Sequence, residues 1–149
     1  TRVDTPVAHI DLMPTMAAAA GAAPPPGGTI DGRDLLPLAT GKGAAAWDRD
    51  TLFWQSGYYR GVRHGDWKLQ VSANPDKAWL YNLADDPTEQ SNLAASRTDK
   101  VKELKALLDA HKASARKPLY PYTAEMPVAI DKTLAERFKA GDEYIYWPN

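Results

Sequence analysis

The chain has 149 residues, 44% of them hydrophobic, with 18 Lys plus Arg against 19 Asp plus Glu for a formal net charge of -1. That length and composition suit one compact domain with a core, and the balanced charge leaves no electrostatic footprint for nucleic acid or an anionic membrane surface, so neither is expected as a partner. With no cysteine, disulfides, thiolate metal sites and a cysteine nucleophile are excluded from these residues.

Asp11 starts the first predicted helix as its cap. Pro14 is tolerated in the first turn, and Met13, Met16, Ala17 and Ala20 are spaced to make one apolar face. Gly21 and Pro24-Pro25-Pro26 stop it. The run from Met16 to Ala23 is mostly alanine and too short to span a membrane. The stretch before Asp11 lacks the basic-then-apolar order of a secretory signal, and the chain opens on Thr rather than Met, so it reads as a piece of a longer polypeptide. Residues 22–29 form a stiff Pro/Gly connector. Asp31-Gly32 then reads as a turn into a short buried loop at Leu35, Leu36, Pro37 and Leu38, and residues 42–50 continue as loop.

From Thr51 the hydrophobic period changes to that of strands. Four are predicted: Leu52 to Trp54, Tyr58 to Val62, Trp67 to Val71 and Trp79 to Leu83. Arg63-His64-Gly65-Asp66 and residues 72–77 around Asn74-Pro75 are tight turns, so successive strands run antiparallel. After the abrupt turn at Asp85-Asp86-Pro87, Ser96 or Thr98 caps a helix whose stripe is Val101, Leu104, Leu107, Leu108 and His111. A four-stranded sheet with one apolar face needs a cover, and this amphipathic helix supplies it, giving an α+β class. Lys100, Lys102, Glu103, Lys105 and Asp109 form its solvated side. Beyond Lys117 the Pro-punctuated segment to Pro127 is expected to run extended over a surface. A short helix over 133–140 should end at Gly141, and Tyr144 to Trp147 alternates like a strand or an adhering tail.

Several segments, in order, resemble the last third of bacterial arylsulfatases. They are Asp4-Thr5-Pro6-Val7-Ala8-His9-Ile10-Asp11-Leu12-Met13-Pro14-Thr15, then Ile30 to Leu38, then Leu52-Phe53-Trp54 leading to Tyr59 through Leu69. Leu80-Tyr81-Asn82-Leu83, Asp86-Pro87-Thr88-Glu89, Asn92-Leu93-Ala94 and the terminal Asp142 to Asn149 continue the match. The resemblance implies the C-terminal portion of a sulfatase of the alkaline phosphatase superfamily, hydrolysing sulfate esters. It implies calcium and a formylglycine nucleophile in the parent enzyme, made from a Cys/Ser-x-Pro/Ala-x-Arg motif that this chain lacks, so no catalytic residue, metal ligand or cofactor is expected here. It further implies an organisation with residues 1–50 as the end of the large α/β domain and connector, 51–117 as the antiparallel-sheet subdomain, and 118–149 as a surface-docking tail. The expected partners are the missing N-terminal catalytic domain and a small-molecule or carbohydrate sulfate ester, with homo-oligomerisation left open and a periplasmic or secreted location. The same superfamily also contains phosphonate and phosphate ester hydrolases, and the residues that separate those substrates lie mostly outside this chain.

The hairpin loop Gln55-Ser56-Gly57-Tyr58-Tyr59 is the best local candidate for the rim of a substrate pocket. In similar sulfatases the corresponding loop often carries a histidine, which this chain lacks. Gln55, Ser56, Tyr58, Tyr59 and His64 are therefore the candidate rim residues, with His64 expected on an exposed turn. His9, His64 and His111 are too scattered for a metal site. Arg60, Arg63 and Lys68, near Trp54 and Trp67, form a conceivable sulfate-binding cluster, against which stands simple ion-pair and cation–π packing. Asp85, Asp86, Glu89 and Asn92 are oxygen-rich but lack the spacing of a calcium loop. Finally, 5 Trp and 7 Tyr against 2 Phe favour aromatics with a polar end. That balance suits docking on a missing domain, and it also suits a rival reading, a carbohydrate-binding module.

Overall fold

A computed structural model describes residues 2–23, 27–42, 47–117, 125–129, 136–137 and 139–148. The chain divides into two compact units, Thr1–Asp50 and Thr51–Asn149.

In the first unit a single 3-10 turn, His9–Asp11, leads into α1, Leu12–Ala19, and a second short helix, α2, spans Leu36–Ala39. The Leu35–Leu38 segment predicted as a loop is thus largely helical, with Pro37 in the first turn, where its missing N–H is no loss. The predicted apolar face of α1 is not buried: Met16 is 64% exposed, and Leu12 and Met13 are exposed too. Asp11 does not cap through its side chain either. Its carboxylate is fully buried instead. Arg49 forms a two-pronged pair with it, Nη1 donating to Oδ1 at 2.8 Å and Nη2 to Oδ2, while the amides of Ala8 (2.8 Å) and Arg33 (2.9 Å) donate to the same two oxygens. Thr15 continues the knot by donating to the Asp11 carbonyl (2.6 Å) and accepting from the Leu35 amide (3.0 Å). Gly32 is needed for this approach because a Cβ at position 32 would collide with the Ile10 carbonyl. The guanidinium groups of Arg33 and Arg49 each approach the Trp47 ring, 5.7 and 5.1 Å from its centroid.

The second unit holds the four-stranded antiparallel sheet in the order β1-β2-β3-β4, with β1 Thr51–Ser56, β2 Tyr59–His64, β3 Trp67–Ala73 and β4 Asp76–Asn82. The register runs Phe53↔Val62↔Leu69↔Leu80 across all four strands. Because side chains alternate faces, that row and Val71 point to one side, where α3, Thr98–Ser114, lays Leu104 and Leu108 on them to make the core. Val101 and Leu107 flank it, and the His111 ring stacks on Phe53 with centroids 4.1 Å apart. Neither Ser96 nor Thr98 caps α3 by side chain. Arg97 is the N-cap, and the Ser96 hydroxyl donates to the Leu93 carbonyl at 3.2 Å in the preceding turn.

The β4 edge is closed without another strand. Asn92 accepts from the Leu80 amide (3.0 Å) and donates to the Ala78 carbonyl (3.1 Å), and the Leu93 amide donates to the Leu80 carbonyl (2.8 Å). An amide side chain thereby imitates the ladder and satisfies an edge that would otherwise invite pairing. The C-terminal segment is not merely extended: β5, Glu125–Ala129, and β6, Tyr144–Pro148, pair antiparallel in a second sheet. The helix predicted over 133–140 falls mostly outside the described residues. Glu143, just before β6, pairs with Lys77 of β4 at 3.3 Å.

Candidate functional site

The five candidate rim residues do not form one cluster. The loop expected over Gln55–Tyr59 is a two-residue turn, since β1 runs on to Ser56 and pairs it with Tyr59, leaving only Gly57 and Tyr58 between them. Gly57, at φ 54°, supplies the positive φ that such a tight connection needs. Gln55, Ser56, Tyr58 and Tyr59 therefore meet at one end of the hairpin, with Tyr58 37% exposed. His64 stands at the other end of β2, roughly 17 Å away at the rise of an extended strand. It is not on a turn: it is half-buried opposite Thr51, whose Oγ1 lies 2.7 Å from its Nδ1. By alternation Gln55 and His64 share the helix side of the sheet, and Ser56 and Tyr59 share the opposite side.

The basic cluster is split in the same way. Arg60 points to the helix side and donates to Asp109 at 2.8 Å, while Arg63 and Lys68 are cross-strand neighbours on the other side. The cation over Trp67 is Lys100, at 5.7 Å, not an arginine.

The side of the sheet away from α3 carries a polar network. The Tyr59 hydroxyl donates to Gln70 Oε1 (2.6 Å), Gln70 Nε2 donates to Glu89 Oε2 (2.8 Å), and Lys68 Nζ donates to Glu89 Oε1 (2.6 Å). Beside it Trp79 and Tyr81 are buried, with Tyr59 and Leu83 packed on them. Burial first, then the Glu89 carboxylate and Tyr81, push the Tyr59 phenol up to about 12. Gly61, directly opposite Gln70, leaves room for this geometry. A Cβ there would sit 3.6 Å from both the Tyr59 hydroxyl and the Trp54 ring, ordinary van der Waals contact. Trp54 itself is 41% exposed on the same side.

Sequence reasoning missed Gln70 and Glu89 as partners of Tyr59. The signal for the strand half was available, because Lys68 and Gln70 alternate onto one side in step with Tyr59 and Tyr81. Glu89 carried no such signal, since its position depends on the turn that brings it back over the sheet.

The oxygen-rich stretch at 85–92 does not fit a calcium ion. Asp86 directs both carboxylate oxygens at backbone amides, those of Gln90 (3.0 Å) and Ser91 (2.8 Å), which hold its carboxyl below the usual range. Asp85 accepts from Asn82 at 2.6 Å, Glu89 is taken by Lys68 and Gln70, and Asn92 by the β4 edge. Among the described residues no group of three His, Cys, Asp or Glu side chains converges as metal ligands would, and no helix is long and apolar enough to cross a membrane.

No family model matches the chain. Human steryl-sulfatase is 38% identical to it over 81 residues, covering 54% of this chain and 13% of that protein. Human arylsulfatase A is 37% identical, covering 68% of this chain and 27% of its own length. Among solved structures, a sulfatase from Bacteroides thetaiotaomicron matches with a TM-score of 0.58 and 28% identity over 69% of this chain and 24% of its own. A further solved protein, in complex with its substrate D-glucosamine-2-N,6-O-disulfate, matches with a TM-score of 0.56 and 29% identity over 69% of this chain and 23% of its own. The chain thus spans 13% and 27% of the two curated relatives. Likeness of sequence and likeness of fold coincide on one family, and the chain is a sulfatase C-terminal portion.

Proposed function

We propose that this chain completes the fold and the substrate-pocket rim of a sulfate-ester hydrolase and is not catalytic by itself. The observation that carries this reading is the joint likeness in sequence and fold to sulfatases of which it spans about a quarter or less. The chain has no cysteine and no Ser-x-Pro-x-Arg or Ser-x-Ala-x-Arg, so the residue to be oxidised to formylglycine belongs to the rest of the polypeptide. A calcium ion held there would supply Lewis acidity and the formylglycine the nucleophile; no step of that chemistry runs through the residues described above. The contribution of this chain is shape. The β1–β2 turn offers Gln55, Ser56 and Tyr58 to a small-molecule or carbohydrate sulfate, and a sulfated sugar is favoured because the matched protein cited above has a disulfated glucosamine as its substrate. Exposed Met16, Met13 and Leu12 support docking of α1 on the catalytic domain. A periplasmic or secreted location goes with this reading.

The test is sulfate release. The full-length polypeptide should hydrolyse an aryl or carbohydrate sulfate, and the purified 149-residue chain should release none. Turnover by the chain alone, or none by the full-length protein with calcium and formylglycine verified, would overturn the proposal.

A further inference from the structure

Among the described residues Glu89 is the one non-glycine with a positive φ, 58°, a backbone region that side chains rarely occupy. The turn that holds it there is well tied: its amide donates to the Asp86 carbonyl (3.2 Å), and the Asp86 carboxylate accepts the next two amides. The outcome is a carboxylate aimed at the sheet, with Lys68 on one oxygen and Gln70 on the other. Glu89 and Lys68 are both mostly buried, their side chains 29% and 25% exposed. With its amide nitrogen fixed by that carboxylate, Gln70 can present only its oxygen to Tyr59, which donates to it at 2.6 Å. Tyr59 is the first residue after the Gly57–Tyr58 turn and pairs with Ser56 as the last rung of the hairpin. The end rung of a ladder is where fraying begins. Here that rung is anchored through two consecutive hydrogen bonds, Tyr59 to Gln70 and Gln70 to Glu89, to a segment about thirty residues later in the chain.

We infer that Glu89 is a positioning residue, holding the Gly57–Tyr58 turn in one geometry through Gln70 and Tyr59 and so fixing Gln55, Ser56 and Tyr58 where they meet a sulfated ligand. This rests on the reading of that turn as part of the pocket rim. A ligand met by a pre-set turn binds without the loss that ordering the turn would bring.

Two variants test it in the full-length polypeptide, with D-glucosamine-2-N,6-O-disulfate as the probe. Glu89→Gly deletes the carboxylate while keeping a residue that adopts φ 58° freely, and Tyr59→Phe cuts the far end of the same chain of bonds. Each should raise KM roughly tenfold, leave kcat within about twofold, and speed amide exchange at Gly57 and Tyr58 by roughly tenfold. Glu89→Gly should also bring the Tyr59 titration down from about 12 by removing the carboxylate charge that adds to the effect of burial. Unchanged exchange at the turn would overturn the inference, as would faster exchange with an unmoved KM or a fall confined to kcat. Should the unaltered full-length protein hydrolyse no sulfate ester, the rim reading falls, and amide exchange with the Tyr59 titration then decides the positioning of the turn by itself.

Discussion

A carboxylate without exposed surface needs its lone pairs answered, and Asp11 has them answered by one guanidinium and two backbone amides. Burial by itself would raise its pKa. The Arg49 hydrogen bonds, then those of Ala8 and Arg33, outweigh burial and hold it at about 2 against an ordinary 3.8. The folded value lies below the unfolded one, so the native state binds this proton more weakly. The resulting stability is complete above pH 3.8 and is lost as the pH falls through about 2. It amounts to about 2 kcal/mol. Protection of the Arg33 amide, corrected for intrinsic exchange, should therefore fall across that window, and Asp11→Asn should make it flat. The same substitution would also leave Arg49 buried without its counter-charge, lowering protection at neutral pH by about 3 kcal/mol. Equal protection in the two proteins at about pH 6, where the native carboxylate is fully ionised, would show that the pair contributes nothing there.

Elements repeat the lesson of single residues at larger spacing. The sheet was legible because each strand is short, rich in aromatic and β-branched residues or leucine, and closed by a turn whose chemistry is local: Gly57, Gly65 and Asn74-Pro75 each stand where a hairpin reverses. Helix α3 was legible in the same way, from a stripe at helical period ending in His111. Its cap was not, because Ser96 is used by the preceding turn. Nor was the exposure of α1, whose methionine spacing is that of a buried helix although the described residues leave Met16 open. Periodicity tells which side of an element is apolar, and says nothing of where its cover comes from. For α3 the cover is on the page. Leu104 has no exposed surface and rests in the Val62, Leu69, Leu80 cluster. Leu104→Ala should lower stability by about 3 kcal/mol, read as a lower urea midpoint at unchanged slope, whereas Lys102→Ala on the solvated side should move it by less than about 0.5 kcal/mol. Equal effects would mean that α3 does not cover the core.

At the scale of the molecule the two units bury very different things. Among the described residues, those of 51–149 hold two clusters of buried side chains, Val62, Leu69, Val71, Leu80, Leu104 and Leu108 on one side of the sheet and Trp79 and Tyr81 on the other. Residues 1–50 bury Leu38 and the Asp11 carboxylate. A knot of charge and hydrogen bonds fixes geometry well, but removing polar groups from water returns little free energy even when they are fully paired. Its specification is also non-local, which is why it escaped the sequence: Asp11 and Arg49 are 38 residues apart, and Gly32 reads as a turn residue when its role is to let one backbone pass another. Apolar burial drives cooperative folding, and a segment of this length with one buried leucine has too little of it to offset its chain entropy. Residues 51–149 produced alone should therefore unfold in one cooperative transition, coincident by near-UV and far-UV circular dichroism, while residues 1–50 alone should show none. A cooperative transition in the shorter piece would assign the Asp11–Arg49 knot a folding energy of its own. Its absence would make that knot a device for shape, dependent for its persistence on the remainder of the polypeptide.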